Sequence, residues 1–148
     1  MRLPGRLSAA IEVLTDVETR HRPVSEALKA WGINNRFAGA GDRAAIGNLV
    51  YDALRRRASH AFAMGEDTPR ALVLSVAVRD WGGHPDELAA AFAADTHGPA
   101  TMGADEVARL VEADPLAGAP EHVRADLPEW VADAVRGTFG DSLVVEGQ

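Results

Sequence analysis

The chain contains residue types that can catalyse reactions or bind metal ions, but their spacing favours neither catalysis nor a metal site. The chain has five histidines, which are His21, His60, His84, His97 and His122. No two of them stand four residues apart, the spacing at which a helix offers two ligands to one metal ion. None of the five serines follows the Gly-x-Ser-x-Gly pattern of a nucleophile. We therefore expect surface or helix-end histidines, no catalytic residue and no metal site.

The absence of cysteine reduces the kinds of chemical site that the chain can form. It excludes a disulfide, a thiolate zinc site and a thiol nucleophile. Paired acids such as Asp86-Glu87 and Asp105-Glu106 fall where helices are predicted to begin, and there they favour the helix dipole. We interpret them as first-turn charges and not as an acid/base pair. A small independent enzyme has no positive feature to support it.

One glycine pattern resembles a cofactor loop. The residues Gly39-Ala40-Gly41-Asp42-Arg43-Ala44 match Gly-x-Gly-x-x-Ala at a predicted helix start. Such a loop holds a pyrophosphate when it follows a β-strand in a βαβ unit. Here a short helix and an Asn-containing loop are predicted before it, and Asp42 would set a carboxylate where the phosphate should lie. We interpret the segment as a loop leading into a capped helix, and we expect no cofactor in this chain.

Arginine is the remaining candidate for binding chemistry. Fourteen of the fifteen basic residues are Arg, which suits bidentate phosphate contacts and also fits a GC-rich genome. The side chains of Arg55-Arg56-Arg57 point in different directions around a predicted helix. The run is either a solvated helix end or part of a phosphate-facing surface. Arg56 follows Asp52 by four residues and is placed to pair with it. The predicted RNA-binding set is Arg2, Arg6, Arg20, Arg22, Arg36, Arg43, Arg55 and Arg56.

Charge is unevenly distributed along the chain. The net charge is −7. Residues 1–79 carry 12 basic and 8 acidic residues, a balance of +4, whereas residues 80–148 carry 3 and 14, a balance of −11. Such asymmetry favours a polyanion-facing side in the first part, although the acidic total opposes it.

The segments that carry these candidate residues are predicted to be helices. Apolar residues recur at intervals of three and four, which predicts helices over about 5–19, from Pro23 to Gly32, over 42–61, from Pro85 and over 104–113. Asp42 is the predicted N-cap of the third. In the last, Val107, Leu110 and Val111 are predicted to point inward. Thr68-Pro69 opens a helix over 69–81 that is apolar on nearly all sides and therefore central. A β-strand is the rival for that valine-rich run. The predicted fold class is all-α.

The last part of the chain is predicted to contain a linker. Residues 114–128 hold three prolines and no clear period, which predicts a linker before a final helix from Leu127 to about 138. The uncapped end at Gln148 suggests a truncation. The sequence has no apolar run near 18 residues and no signal-peptide core, so we expect a cytoplasmic protein without a membrane partner.

The residues 37–56 resemble a known helical family. Asp42-Arg43, followed by Leu49-x-Tyr51-x-x-Leu54-Arg55, is similar to a segment of NusB-like domains, specifically the N-terminal domain of the RsmB/Sun family of ribosomal RNA cytosine-C5 methyltransferases. The segments 9–14, 22–23 and 26–28 are similar to the opening helices of that family. Leu127-Pro128-Glu129-Trp130-Val131, with Phe139-Gly140, resembles the segment that leads into its methyltransferase half.

The resemblance implies a fold and a helper role. It implies a NusB-like bundle of about six to seven helices over residues 1–113, with 114–148 leading to a methyltransferase domain that the chain lacks. In the family, that other half binds S-adenosylmethionine and attacks cytosine through cysteine. By resemblance this chain is an RNA-binding accessory domain of a 16S ribosomal RNA methyltransferase. It would contact ribosomal RNA and the parent's catalytic domain, with Arg43, Arg55 and Arg56 matching the family's segment. The alternative is a protein-interaction module of the antitermination or ribosome-assembly type, with an acidic surface over 80–148.

Overall fold

The computed structural model describes residues 1–126, and every regular element in that range is a helix. The helices are α1 (Leu3–Arg20), α2 (Val24–Asn34), α3 (Ala40–Arg55), α4 (Arg57–Met64), α5 (Pro69–Ser75), α6 (Pro85–Ala94), α7 (Ala104–Leu110) and α8 (Glu121–Arg124). Helix α5 continues as a π-helical segment, Val76–Asp80. The all-α prediction is confirmed. The helix predicted from Leu127 lies outside the described residues.

Helices α1 and α3 form the main pair of the bundle. Leu7 and Leu14 on α1, and Ile46 and Leu49 on α3, are completely buried. Their spacing places them on one stripe of each helix, so the two stripes can pack together. Each such side chain contributes about 1.5–3 kcal/mol through its removal from water.

Helix α5 lies at the centre, as its composition predicts. All residues from Ala71 to Ala77 are buried, and the segment packs against α1, α3, α4 and α7. The side chain of Thr68 accepts a hydrogen bond from the Ala71 amide at 3.2 Å, which caps the first turn. The cap and the helical neighbours explain why this valine-rich run is not a strand.

Three features of the predicted helices are wrong. Helix α2 runs through Gly32 to Asn34. The predicted helix over 42–61 is two helices, because the chain breaks at Arg56, whose φ is −122°. Helix α3 also begins earlier than predicted, so that Asp42 stands in its first turn and accepts from the Gly39 amide at 3.4 Å instead of serving as the N-cap.

The turn between α2 and α3 is held by the Arg43 side chain. Its guanidinium donates to the carbonyls of Gly32 (3.1 Å), Asn35 (3.4 Å) and Ala38 (3.0 Å). The Gly32 and Asn35 carbonyls at the end of α2 also accept from the Asn35 and Ala38 amides, and the Ala38 carbonyl lies just before α3. The Arg43 side chain therefore ties the end of α2 to the start of α3. Gly32 leaves room for this contact, because a Cβ there would collide with the guanidinium.

The segment after α7 packs back on α4. Asp126 accepts hydrogen bonds from the Ser59 amide (2.8 Å), the Ser59 hydroxyl (2.7 Å) and Arg56 Nε (3.3 Å). Residues 121–126, inside the predicted linker, therefore belong to the packed body. Helix α7 ends at Leu110 and leaves Val111 58% exposed, so the prediction that Val111 points inward is wrong. The boundary at 113/114 stays a prediction.

No helix within residues 1–126 combines the length and apolar character needed to span a bilayer.

Removal of the Arg43 side chain should destabilise the fold. We expect Arg43→Ala to lower the free energy of unfolding by about 1–2 kcal/mol, because it removes three side-chain hydrogen bonds that tie the end of α2 to the start of α3. Urea unfolding followed by circular dichroism measures this. The matched control, Arg36→Ala, changes an exposed arginine and should stay within about 0.5 kcal/mol of the parent. Equal stability of the two variants would contradict this role of Arg43.

Candidate functional site

The eight predicted RNA-binding arginines do not form one surface. Arg2, Arg20 and Arg22 line hollows along α1 and α2, and Arg36 precedes Phe37, which lines one of them. Arg55 and Arg56 lie instead at the α3–α4 junction. The structure therefore divides these six arginines between two regions of the bundle.

The first region contains a groove along α1 and α2. Its larger part has a volume of about 780 Å³, and a smaller part of about 370 Å³ shares Glu12, Trp31 and Asn35 with it. We call the two parts together the N-terminal groove. Its charged and aromatic lining residues are Arg2, Glu12, Asp16, Arg20, Arg22, Trp31, Phe37, Asp42, Asp95 and His97.

An aromatic pair forms one wall of this groove. The rings of Trp31 and Phe37 meet edge to face, with centroids 6.5 Å apart and an angle of 69°. Trp31 is buried and its Nε1 donates to Glu12 Oε2 at 3.2 Å, which fixes the ring. Phe37 is 75% exposed. A supported ring with an open face is a surface on which a planar group can stack.

The arginines that line the groove, and Arg6 and Arg36 close to them in the sequence, differ in the ion pairs that they already form. Arg6 forms a hydrogen-bonded ion pair with Asp42 at 2.9 Å. Arg20 and Arg22 share one carboxylate, that of Asp16, at 3.4 and 3.6 Å, so one positive charge is left over. Within residues 1–126, Arg2 and Arg36 form no ion pair and both are exposed. Arg2 and Arg36 are thus the cations best placed to meet an outside anion.

The acids of the groove are partly neutralised. The hydrogen bond from Arg6, followed by that from the Gly39 amide and the nearby N-terminal charge, holds the pKa of Asp42 below its ordinary value against the opposing effect of burial. The terminal ammonium lies 3.6 Å from the same carboxylate. Asp95 accepts from the His97 amide at 2.8 Å. Asp42 is therefore matched by two cations and adds no net negative charge.

The second region holds a buried chain of hydrogen bonds that the sequence does not reveal. His60 is 2% exposed; its Nδ1 lies 2.6 Å from Ser75 Oγ and its Nε2 lies 3.0 Å from Asp80 Oδ2. Because a carboxylate only accepts, Nε2–H donates to Asp80 and Nδ1 accepts from the Ser75 hydroxyl. The expectation of a surface or helix-end histidine is wrong for His60. The partners stand 15 and 20 residues away, so local spacing gives no sign of them.

This Ser–His–Asp order resembles a nucleophilic triad, but its placement excludes that use. Ser75 is completely buried in the central helix, so no substrate can approach its oxygen. The chain of hydrogen bonds instead satisfies polar groups that the core would otherwise leave unpaired. Its role is structural.

Arg56 belongs to the same network. It lies 3.3 Å from Asp126 and 3.8 Å from Asp80. The predicted pairing of Arg56 with Asp52 is wrong, because the break at Arg56 turns it away. Asp52 pairs instead with Arg55 and accepts from Trp81 Nε1 at 3.0 Å.

No group of three or more His, Asp or Glu side chains in the part of the chain that the structure describes is arranged to hold a metal ion. Comparison of the chain with family models, curated proteins and solved structures gave no match.

The buried histidine should make stability depend on pH. Burial lowers the pKa of His60 below 6.5, against the opposing pull of Asp80. The unfolded chain therefore binds a proton at a higher pH than the folded chain. Stability is full above about pH 6.5 and falls as the pH drops from there to the folded-state pKa, by up to about 1.4 kcal/mol per pH unit.

Urea unfolding at a series of pH values between about 7 and 5 checks this sign. The variant His60→Gln should be less stable at neutral pH and should lose most of the slope. The control His84→Gln changes an exposed histidine and should keep the slope. A parent protein that becomes more stable towards pH 5 would refute the assignment.

Proposed function

We propose that this chain is an RNA-binding accessory domain that holds single-stranded RNA in the N-terminal groove. The observation that carries the proposal is the exposed ring of Phe37, flanked by Arg36 and by a groove that Arg2 lines. Single-stranded RNA is bound by stacking of unpaired bases on aromatic rings and by contacts of cations with phosphate. The groove offers one stacking ring with unpaired arginines beside it.

The remaining arginines of the groove extend the phosphate path. Arg20 and Arg22 line its smaller part and share one carboxylate, so a phosphate there would meet a net positive charge. Guanidinium groups suit this contact because their planar fork matches phosphate oxygens. Arg6, Arg43 and Arg56 support the fold through their contacts within the chain, and we propose no direct RNA contact for them.

The resemblance to NusB-like domains suggests where such binding is used. We propose that the chain is the N-terminal part of an S-adenosylmethionine-dependent methyltransferase of 16S ribosomal RNA. In this proposal it positions ribosomal RNA for a catalytic half that carries the cofactor and the cysteine nucleophile. The net charge of −7 fits weak binding that works together with another domain.

RNA affinity should depend on the N-terminal groove. We expect the chain to bind a fluorescein-labelled single-stranded RNA at low salt and to lose affinity as salt rises. The double variant Arg2→Glu/Arg36→Glu should weaken binding at least about tenfold and flatten the salt dependence, because two phosphate contacts are lost. Phe37→Ala should cost about 1–3 kcal/mol without changing that dependence, because it removes stacking alone. Fluorescence anisotropy measures both effects.

The control variant Arg109→Glu/Arg124→Glu makes the same change in net charge at two exposed residues outside the groove. It should reduce affinity much less. Arg55→Glu tests whether the α3–α4 junction contributes. No binding at low salt, or equal losses in the groove and control variants, would refute the proposed site.

The chain alone should not transfer methyl groups. We expect no 5-methylcytosine after incubation with S-adenosylmethionine and ribosomal RNA, because a chain without cysteine cannot supply the thiolate that this chemistry uses. Mass spectrometry of digested RNA checks this. Formation of the product would show that the chain has an enzymatic centre of its own and would refute the proposal.

A further inference from the structure

A second groove lies between α4 and the segment that follows α7. It has a volume of about 810 Å³ and shares no lining residue with the N-terminal groove. We call it the acidic groove. Its two sides come from α4 with its C-terminal loop, and from residues 109–123.

The floor of the acidic groove is apolar. Ala58, Ala61 and Phe62 stand three and four residues apart on α4, so they form one stripe along that helix. Pro115 and Val123 face them from the other side. All five are only partly buried by the described residues. The floor is therefore an apolar strip that retains contact with solvent.

The rim of the groove is negative. Four exposed acids line it, Glu66, Asp67, Glu112 and Asp114, against one cation, Arg109. Asp67 is paired with Arg57 at 3.0 Å. The carboxylates of Glu66 and Asp114 make no hydrogen bond or ion pair with any residue up to 126. Two charges on opposite sides of the apolar strip thus remain without a described cation.

We infer that the acidic groove binds a basic amphipathic helix of a partner protein. An apolar stripe on such a helix would cover the floor, and lysines or arginines at its edges would meet Glu66 and Asp114. Helix-in-groove binding of this kind buries the apolar strip and pairs the rim charges at once. The inference does not depend on RNA binding.

Charge argues against the other occupants. RNA would place phosphates against a rim with three more acids than bases. A second copy of the chain carries a net charge of −7. The chain's own residues 127–148 contain four acidic residues and one basic residue, so they do not complement the rim either. A basic partner, unlike these three occupants, would be attracted to the acidic rim.

Peptide binding to the full chain tests the inference. The probe is a labelled peptide of about 18 residues, with leucine on one helical face and lysine on the rest, long enough to form a helix on binding. We expect saturable binding by fluorescence anisotropy, with amide chemical-shift changes confined to α4 and residues 109–123. A peptide with glutamate in place of lysine should not bind.

Matched charge reversals locate the site. Glu66→Lys/Asp114→Lys should weaken binding at least about tenfold, because like charges then face the peptide. Glu26→Lys/Glu87→Lys changes the net charge equally at exposed residues outside the groove and should have less than about a threefold effect. Should the first variant fail to fold, the shift map on the unaltered chain decides. Absence of binding, equal loss in both variants, or shifts centred on the N-terminal groove would each overturn the inference.

Discussion

A buried polar side chain needs a hydrogen-bond partner. The fully buried part of the central helix, residues 71–77, contains one polar side chain, that of Ser75. His60 supplies the partner and in turn requires Asp80, which lies at the end of the π-helical segment. One additional residue in a turn shifts the following side chains by about 100° around the axis. The π-helical segment thus determines which face of the helix carries Asp80. Through Arg56 the same network reaches Asp126, so the central helix and the C-terminal segment of the described body share one set of polar contacts.

The arginines show why residue type does not determine a binding role. The sequence names all eight as candidates and assigns an acidic partner only to Arg56. The structure separates them by acceptors from distant parts of the chain. Arg43 meets the carbonyls at the end of α2, and Arg56 meets Asp126, 70 residues later. Arg2 and Arg36 find no acidic partner among residues 1–126. The candidates that remain for RNA are those that the fold has not already used, and this distinction requires tertiary contacts.

Apolar periodicity was sufficient to predict the larger helices of the bundle, because burial of an apolar stripe is the dominant favourable term and shows in local spacing. It did not predict α8, which lies inside the predicted linker. The starts of α5 and α6 were also predictable, since Pro69 and Pro85 mark first turns. The break at Arg56, the π-helical segment and the extension of α2 past Gly32 were not. At Arg56 the partner, Asp126, lies 70 residues further along the chain, and local propensity is weaker than such contacts. The candidate groove was predicted only in part: Arg2 and Arg36 were named, whereas the stacking role of Phe37 depends on its contact with Trp31.

The two grooves divide the charge of the molecule differently from the sequence. By sequence, the acidic part begins near residue 80, yet Glu66 and Asp67 from the first part join Glu112 and Asp114 on one rim. At physiological salt, charges act over about 8 Å, so each groove is governed by its own lining rather than by the net charge of −7. The N-terminal groove is lined by three arginines and four acids, and two of those acids, Asp16 and Asp42, are already paired with cations. The acidic groove has one arginine for four acids. In this proposal an acidic protein therefore offers the first groove to phosphate and the second to a basic helix. The acidic rim also repels RNA from that part of the surface, so in this proposal bound RNA is restricted to the N-terminal groove, which fixes its position relative to any partner.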